Sequence, residues 1–150
     1  MRHGFIKVAA ATPGIRVADV DYNKGQIIKQ MDEAAEAGAK IIVFPELCIT
    51  GYTCSDLFLQ DILLNSAKKA LVKIAEHTKN LDALVFVGVP IAVGGELYNA
   101  AAALNHGNIL GFTTKSFLPN YGEFYEMRQF RPGPKKAEKI LFGGKEIPFG

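Results

Sequence analysis

The sequence predicts an α/β fold in which helices cover one face of a mixed β-sheet. Short apolar runs alternate with segments whose apolar residues recur at helical spacing. The predicted order is β-α-β-α-β-β-β, followed by an irregular loop and a hairpin, which is the pattern of a layered α/β domain. The chain has 150 residues, of which 49% are hydrophobic and 21% are charged, so it is long and apolar enough to bury a core.

The first strand and helix are predicted from an apolar run and its end signals. Phe5–Ala11 predicts a strand, which the turn sequence Thr12-Pro13-Gly14 ends. We expect a helix to follow, with Asn23 as its N-cap and Gln26 at the capping-box position. Gly38 is expected to end that helix. The apolar face of the helix comprises Ile27, Met31, Ala34 and Ala35.

The middle of the chain predicts two buried strands and a second helix. Lys40–Phe44 is apolar after its first residue, which is typical of a strand buried on both faces. Asp61 is expected to open the second helix, and Ala83–Val89 is expected to form the next buried strand. The inner stripe of this helix comprises Leu63, Ala67, Ala70, Leu71 and Ile74.

The last third of the chain predicts further strands and tight turns. Leu97–Leu104 and Ile109–Thr114 are expected to be strands joined by the turn Asn105–Asn108. Lys139–Phe142 and Glu146–Phe149 flank a Gly-Gly pair and predict a hairpin. With helices on one face only, the other face of the sheet needs a partner, either another sheet or another subunit.

Composition excludes several classes of protein. The net charge of +2 is too near neutral for a nucleic-acid or anionic-membrane protein, and no window has the roughly 18 apolar residues of a membrane span. The first residues carry no export signal, and Cys48 and Cys54 are too few for a disulfide scaffold. We therefore expect a cytoplasmic protein with reduced thiols. His3, His77 and His106 are far apart in the predicted elements, so we expect no metal site.

Two ionisable residues follow predicted strands at the end where α/β sheets bind ligands. Glu46 lies in "FPELCITGY" and Lys115 opens "KSFLPNYGEF". An unpaired ammonium at the end of a buried strand costs free energy. If the two strands are neighbours or near-neighbours, Glu46 and Lys115 would pair in a cleft. The alternative is that each residue is ordinary surface, although the apolar neighbours of Glu46 argue against full exposure.

The loop after Lys115 carries aromatic residues among mixed charges. The stretch Gly122–Gly133 contains two arginines and two glutamates, so it lacks the basic surface that binds nucleic acid. We expect its aromatic side chains to pack the loop around the site, and Arg128 or Arg131 to hold a carboxylate.

Two long strings give the sequence a family resemblance. "FPELCITGY" and "KSFLPNYGEFYEMRQF" resemble the carbon–nitrogen hydrolase (nitrilase) superfamily. The extensions "TGYTCSDLF" and "LPNYGEFYE" resemble, more narrowly, the N-terminal glutaminase domain of glutamine-dependent NAD synthetases. The resemblance implies a four-layer α-β-β-α sandwich. It implies that residues 1–150 are the first part of this domain, and that the remainder and the synthetase domain are absent.

The resemblance also implies a Glu-Lys-Cys site. Glu46 matches the general base, Lys115 matches the lysine that stabilises the oxyanion, and Glu126 matches a further glutamate that orients the lysine. Tyr52 and Tyr121 match positions that line the glutamine pocket. These roles agree with chemistry, since a thiol needs a base to attack an amide and an oxyanion needs preorganised positive charge.

The expected nucleophile is missing from the sequence. In the family it follows a later strand, and nothing here matches that string. Cys48 lies two residues beyond Glu46 and would point to the same side of an extended segment, but a small thiol between Leu47 and Ile49 is more often plain core. Cys54 is expected to be a free thiol in a loop. The fragment is therefore expected to be inactive alone.

The implied activity is the hydrolysis of the glutamine amide. The ammonia would serve ATP-dependent amidation of deamido-NAD in the absent synthetase domain, so we expect no cofactor in this fragment and ATP and deamido-NAD in that domain. The expected partners are glutamine, the synthetase domain of the same chain and further copies of this chain. Two alternatives stay open, a stand-alone amidase with another amide substrate and a non-catalytic, oligomer-forming fragment.

Overall fold

The computed structural model describes residues 4–150, so the prediction for His3 lies outside the described residues. Within that range the protein has seven strands, two α-helices and three short 3₁₀ segments. The strands are β1 (Val8–Ala10), β2 (Ile41–Val43), β3 (Leu84–Val93), β4 (Glu96–Asn105), β5 (Asn108–Thr114), β6 (Glu138–Phe142) and β7 (Lys145–Phe149). The helices are α1 (Val20–Glu36) and α2 (Asp61–His77), and the 3₁₀ segments are Tyr52–Leu59, Thr78–Asn80 and Glu126–Arg128.

All seven strands form one mixed sheet, in the order β1-β2-β3-β4-β5-β7-β6. β1, β2 and β3 pair in parallel, as do β5 and β7, whereas the remaining pairs are antiparallel. The predicted α/β fold with a mixed sheet is therefore confirmed. β2 and β5, which precede Glu46 and Lys115, are separated by β3 and β4.

Helix α1 begins earlier than the sequence predicts. Asp19 is its N-cap, and the Asp19 carboxylate accepts a hydrogen bond from the Tyr22 backbone N–H at 3.1 Å. Asn23 is fully buried inside the helix, where its side-chain amide bonds both backbone groups of Arg16 and the carbonyl of Ile49. The prediction of Asn23 as the N-cap is wrong, because a tertiary contact uses its side chain.

The end of α1 agrees with the prediction. Gly38 has a φ of +84°, and its N–H bonds the Ala35 carbonyl at 2.8 Å. The N–H of Ala39 bonds the Ala34 carbonyl at 3.0 Å, which completes a Schellman motif. Neither helix within residues 4–150 is both long and apolar enough to cross a membrane.

The core lies between the two helices and one face of the sheet. Ile27 and Met31 of α1 are fully buried, and the predicted inner stripe of α2 is buried throughout. These side chains pack over the helix-facing residues of β3, which include Val85, Val87 and Val89. Local apolar spacing therefore predicts correctly which side of each helix enters the core.

The opposite face of the sheet is open near β1 and β2. Val43 is 45% exposed, and Val8 is also exposed, whereas Ile42 faces the helices and is fully buried. The prediction that the strand Lys40–Phe44 is buried on both faces is wrong for this chain, because the helices cover only one face.

The predicted turns are confirmed as two-residue hairpins. His106 and Gly107 both have positive φ between β4 and β5, and the Gly-Gly pair between β6 and β7 does too. A third such turn at Gly94-Gly95 joins β3 to β4. Positive φ at both central positions matches the right-handed twist of the flanking strands.

Candidate active site

The loop that carries Glu46 crosses the sheet instead of ending at the edge of β2. The Phe44 N–H bonds the carbonyl of Phe86 at 2.9 Å, and the Ile49 N–H bonds the carbonyl of Gly88 at 3.4 Å. A β-carbon on Gly88 would lie 2.8 Å from the carbonyl carbon of Glu46. The loop backbone therefore lies on β3 at the one position where that strand has no side chain, which carries Glu46 towards β4.

Lys115 follows β5 directly and meets Glu46 across this crossing. Its backbone N–H bonds the Asn99 carbonyl of β4 at 2.8 Å, which extends the ladder by one residue. Its ammonium Nζ lies 2.8 Å from Glu46 Oε1 and 2.9 Å from Glu126 Oε1. The structure thus brings the predicted pair together, but through a loop crossing and not through neighbouring strands.

Glu126 holds Lys115 from the buried side. The residue is 6% exposed and begins the 3₁₀ turn Glu126–Arg128. Its Oε1 accepts hydrogen bonds from the Lys115 ammonium and, at 2.7 Å, from the Tyr52 hydroxyl. Its Oε2 is buried without a hydrogen-bond partner within residues 4–150. Glu46, by contrast, is partly exposed, so one carboxylate faces the interior and the other faces the open side.

These contacts shift the pKa values of Lys115 and Tyr52. Partial burial alone lowers the pKa of Lys115, but the hydrogen bonds and charges of Glu46 and Glu126 outweigh it and raise this pKa above its usual value. Burial and the hydrogen bond to the Glu126 carboxylate raise the pKa of the Tyr52 phenol. Lys115 is therefore a stable cation at neutral pH, and Tyr52 is a neutral hydrogen-bond donor.

Glu46 and Lys115 line an open cleft of about 310 Å³ on the uncovered face of the sheet. Its floor is formed by residues of β2, β3, β4 and β5, namely Val43, Phe86, Gly88, Ala101 and Thr113. The ionic groups thus lie beside an apolar floor, where charges interact strongly. Within the described part of the chain, no group of three or more His, Cys, Asp or Glu side chains could hold a metal ion.

The two tyrosines implied by the resemblance lie in different places. Tyr52 joins the cluster through its bond to Glu126. Tyr121 is 73% exposed and packs edge-on against Phe124, with ring centroids 5.9 Å apart. Among the hydrogen bonds of residues 4–150, none joins Tyr121 to Lys115. Its pocket-lining role stays a prediction.

Sequence reasoning missed Asn99. This residue is buried in β4, and its side-chain amide donates a hydrogen bond to Glu46 Oε1. It thereby restricts Glu46 from the strand side while Lys115 binds the same oxygen. The signal was the amide of Asn99 within the otherwise apolar stretch Leu97–Leu104, because a buried polar side chain requires a partner.

The loop after Lys115 is only partly as expected. Arg128 and Arg131 each hold a carboxylate, those of Asp56 and Glu96. Within Gly122–Gly133, Phe130 is buried, Phe124 is half-buried and Tyr125 is exposed. The expectation that these aromatic side chains pack the loop is therefore confirmed for Phe130, which contacts Phe58, and wrong for Tyr125, whose ring faces solvent.

Both cysteines are free and buried. The Cys48 thiol donates to the Gly88 carbonyl at 3.6 Å, and burial raises its pKa to about 12. The Cys54 thiol donates to the Thr50 carbonyl at 3.1 Å, and burial raises its pKa too. Cys48 is plain core, as predicted, and neither thiol is disposed to ionise at neutral pH.

Comparison with known proteins gives one family. The profile of the carbon-nitrogen hydrolase family matches residues 7–148. The glutamine-dependent NAD(+) synthetase of Aquifex aeolicus is 43% identical over 144 residues, which is 96% of this chain and 25% of that protein. The protein of the same name from Mycobacterium tuberculosis is 36% identical over 149 residues, 99% of this chain and 22% of that protein. The chain thus spans about a quarter of the length of these relatives.

Solved structures share the fold. The crystal structure of a glutamine-dependent NAD(+) synthetase from Cytophaga hutchinsonii matches with a TM-score of 0.91 and 34% identity, over 97% of this chain and 25% of that one. An amidase from Nesterenkonia sp. matches with a TM-score of 0.74 and 25% identity, over 99% of this chain and 56% of that one. That amidase belongs to the nitrilase superfamily, so the arrangement of sheet and helices is that of this superfamily.

Proposed function

The chain belongs to the carbon–nitrogen hydrolase family, and we propose that it forms part of the glutaminase site of a glutamine-dependent NAD synthetase. The observation that carries the proposal is the Lys115 ammonium, held between the carboxylates of Glu46 and Glu126 beside an open cleft. The relatives named for this activity share up to 43% of the residues, whereas the amidase shares 25%.

In the proposed reaction, Glu46 is the general base. It takes the proton of a cysteine thiol, whose sulfur then attacks the amide carbon of glutamine. Lys115 stabilises the oxyanion, because its charge is fixed in advance by two carboxylates. The C–N bond breaks, ammonia leaves with the proton from Glu46, and water activated by Glu46 hydrolyses the thioester to glutamate.

The nucleophile in this proposal comes from outside residues 1–150. Cys48 and Cys54 are buried and hydrogen-bonded to backbone carbonyls, and their pKa values are raised, so neither thiol is suited to attack. We therefore expect the 150-residue chain to be inactive alone. The ammonia would be used by an ATP-dependent synthetase domain, also outside these residues, which would bind ATP and deamido-NAD.

The test is ammonia release from glutamine by the complete gene product. Lys115→Ala should lower kcat by at least roughly 100-fold, the usual cost of losing one oxyanion donor. Glu46→Gln should lower kcat to a similar extent, because the loss of the general base leaves the thiol protonated. Lys139→Ala is the control, since this lysine lies on the surface, where it pairs with Glu146. Equal rates in all variants would contradict the assignment. Turnover by the 150-residue chain, abolished by Cys48→Ala, would make Cys48 the nucleophile.

The same assay separates the alternatives. A complete protein that hydrolyses simple aliphatic amides faster than glutamine would be an amidase, the activity named for the Nesterenkonia structure. A complete protein that releases no ammonia from either substrate would favour the non-catalytic alternative.

A further inference from the structure

Two segments on the buried side of Lys115 contact each other along their length. The 3₁₀ segment Tyr52–Leu59 faces the stretch that begins at Glu126, and Tyr52 bonds Glu126 at 2.7 Å. At the other end, the rings of Phe58 and Phe130 pack edge to face with centroids 5.0 Å apart. Between these contacts lies an ion pair that the proposed mechanism does not use.

That ion pair is a two-pronged contact between Asp56 and Arg128. Arg128 Nε lies 2.7 Å from Asp56 Oδ1, and Arg128 Nη2 lies 2.8 Å from Asp56 Oδ2. The Gln129 side-chain amide adds a third bond to Asp56 Oδ1 at 3.1 Å. Two parallel bonds between planar groups restrict the orientation of both partners, which a single contact does not do.

The pair is poorly placed to stabilise the fold. The side chains of Arg128 and Asp56 are 49% and 56% exposed, and exposed ion pairs contribute little to the free energy of unfolding. The main effect of the pair is therefore on the position of the turn that contains Arg128. Arg128 lies in the same 3₁₀ turn as Glu126, so a guanidinium held by Asp56 fixes the turn that carries the carboxylate.

Asp56 is itself aimed by a strained backbone. Ser55, immediately before it, has φ +49° and ψ −129°, a conformation that a residue with a side chain rarely adopts. Such a conformation persists only where the surroundings hold it. The three bonds made by Asp56, directly after Ser55, are among the contacts of this segment with its surroundings.

We propose that Asp56 and Arg128 are positioning residues for glutamine hydrolysis, because they hold Glu126 in its contact with Lys115. This inference rests on the proposed function. Without the pair, the turn keeps only the contacts at its two ends, of Tyr52 with Glu126 and of Phe58 with Phe130, so the Glu126 carboxylate is held less firmly against the Lys115 ammonium.

The experiment compares Asp56→Ala and Arg128→Ala with a matched control in the complete gene product. We expect kcat for ammonia release to fall about 10-fold with KM nearly unchanged, less than the roughly 100-fold that a 1 Å misplacement can cost. The control is Glu96→Ala, which removes an ion pair with Arg131 of similar exposure, 50% and 51%. The charge-exchanged pair Asp56→Arg with Arg128→Asp should recover part of the lost rate. Unchanged kcat in both single variants would overturn the proposal.

A double-mutant cycle separates positioning from mere stability. In a Glu126→Gln background, Asp56→Ala should cost almost no further activity, since residues that act through one group are not additive. An undiminished loss in that background would overturn the proposal.

Hydrogen–deuterium exchange tests the positioning of Glu126 independently of glutamine hydrolysis. The N–H groups of Gln129 and Phe130 both bond the Glu126 carbonyl, at 3.1 and 2.8 Å. In Asp56→Ala these amides should exchange with deuterium faster than in Glu96→Ala. Equal exchange would overturn the positioning role, whereas a wild type that releases no ammonia would overturn only the proposed function.

Discussion

Gly88 lies directly against the backbone of Glu46, so that a β-carbon at this glycine would be only 2.8 Å from the Glu46 carbonyl carbon. The same position would also collide with the backbones of Pro45 and Leu47. The route of the loop over β3 therefore depends on the missing side chain, and so does the distance between Glu46 and Lys115.

Gly88→Ala should destabilise the protein by about 1–3 kcal/mol, as overpacking of a tight contact does. The loop must move, so the contact of Glu46 with Lys115 should be lost as well. Urea unfolding measures the first effect, and ammonia release by the complete gene product measures the second. Gly25→Ala is the control: this exposed glycine of α1 has open space around it, so alanine should stabilise the helix by about 0.5–1 kcal/mol. If Gly88→Ala changed neither the unfolding free energy nor ammonia release, the loop crossing would not depend on this glycine, and the prediction would be wrong.

Asn23→Ala should destabilise the fold although it improves helix propensity. The side chain bonds the Arg16 N–H and carbonyl at 2.8 Å each and the Ile49 carbonyl at 3.0 Å, and it is fully buried. Its loss leaves buried backbone groups unpaired, which costs about 1–3 kcal/mol. Thermal unfolding measures the effect, and Asn65→Ala, on the exposed side of α2, should be neutral or slightly stabilising. Equal effects at both sites would contradict the bonding role of Asn23.

Tyr52→Phe should destabilise the protein by about 1.5–3 kcal/mol, since it removes a hydrogen bond to a carboxylate. It should also change the alkaline stability profile. Because burial and Glu126 raise the pKa of Tyr52 in the folded protein, the contribution of this phenol is fully present below its unfolded value of about 10 and is lost as pH rises above it.

The measurement is the difference in unfolding free energy between wild type and Tyr52→Phe across pH 8 to 11. The difference should shrink above about pH 10. Tyr121→Phe is the matched control, because Tyr121 is exposed, and it should follow the wild-type curve. A constant difference across this range would contradict the coupling of Tyr52 to Glu126.

The 150-residue chain should associate with itself. The open sheet face exposes Val8 and Val43, and an uncovered apolar sheet favours contact with a second copy. A stable assembly should bury more than the roughly 1,000 Å² of a biological interface. Light scattering over a concentration series tests this. Val43→Lys should shift the protein towards monomer, whereas Ile62→Lys, on the helix side, should not. A monomer at all concentrations would contradict the prediction.

Much of the fold could be predicted from local patterns. The inner stripe of α2 follows from apolar spacing, and the tight turns follow from glycine positions, because both depend on residues a few positions apart. The loops that carry Glu46 and Lys115 could likewise be placed at strand ends from their neighbours in sequence. The resemblance added Glu126, which the residues alone did not single out.

By itself, then, the sequence determined the elements, the faces that the helices bury and the two loops that carry the charged pair. The tertiary structure decided which side chains from distant elements contact one another. Asp19 and Asn23 are both good N-caps by propensity. Asp19 is the N-cap in the structure, because the Asn23 side chain binds the carbonyl of Ile49, 26 residues away. Glu46 and Lys115 lie 69 residues apart, after strands that are not neighbours, and they meet because the loop crosses β3 at Gly88. Local periodicity carries no information on strand order or on distant hydrogen-bond partners, since both are set by the packing of the whole sheet.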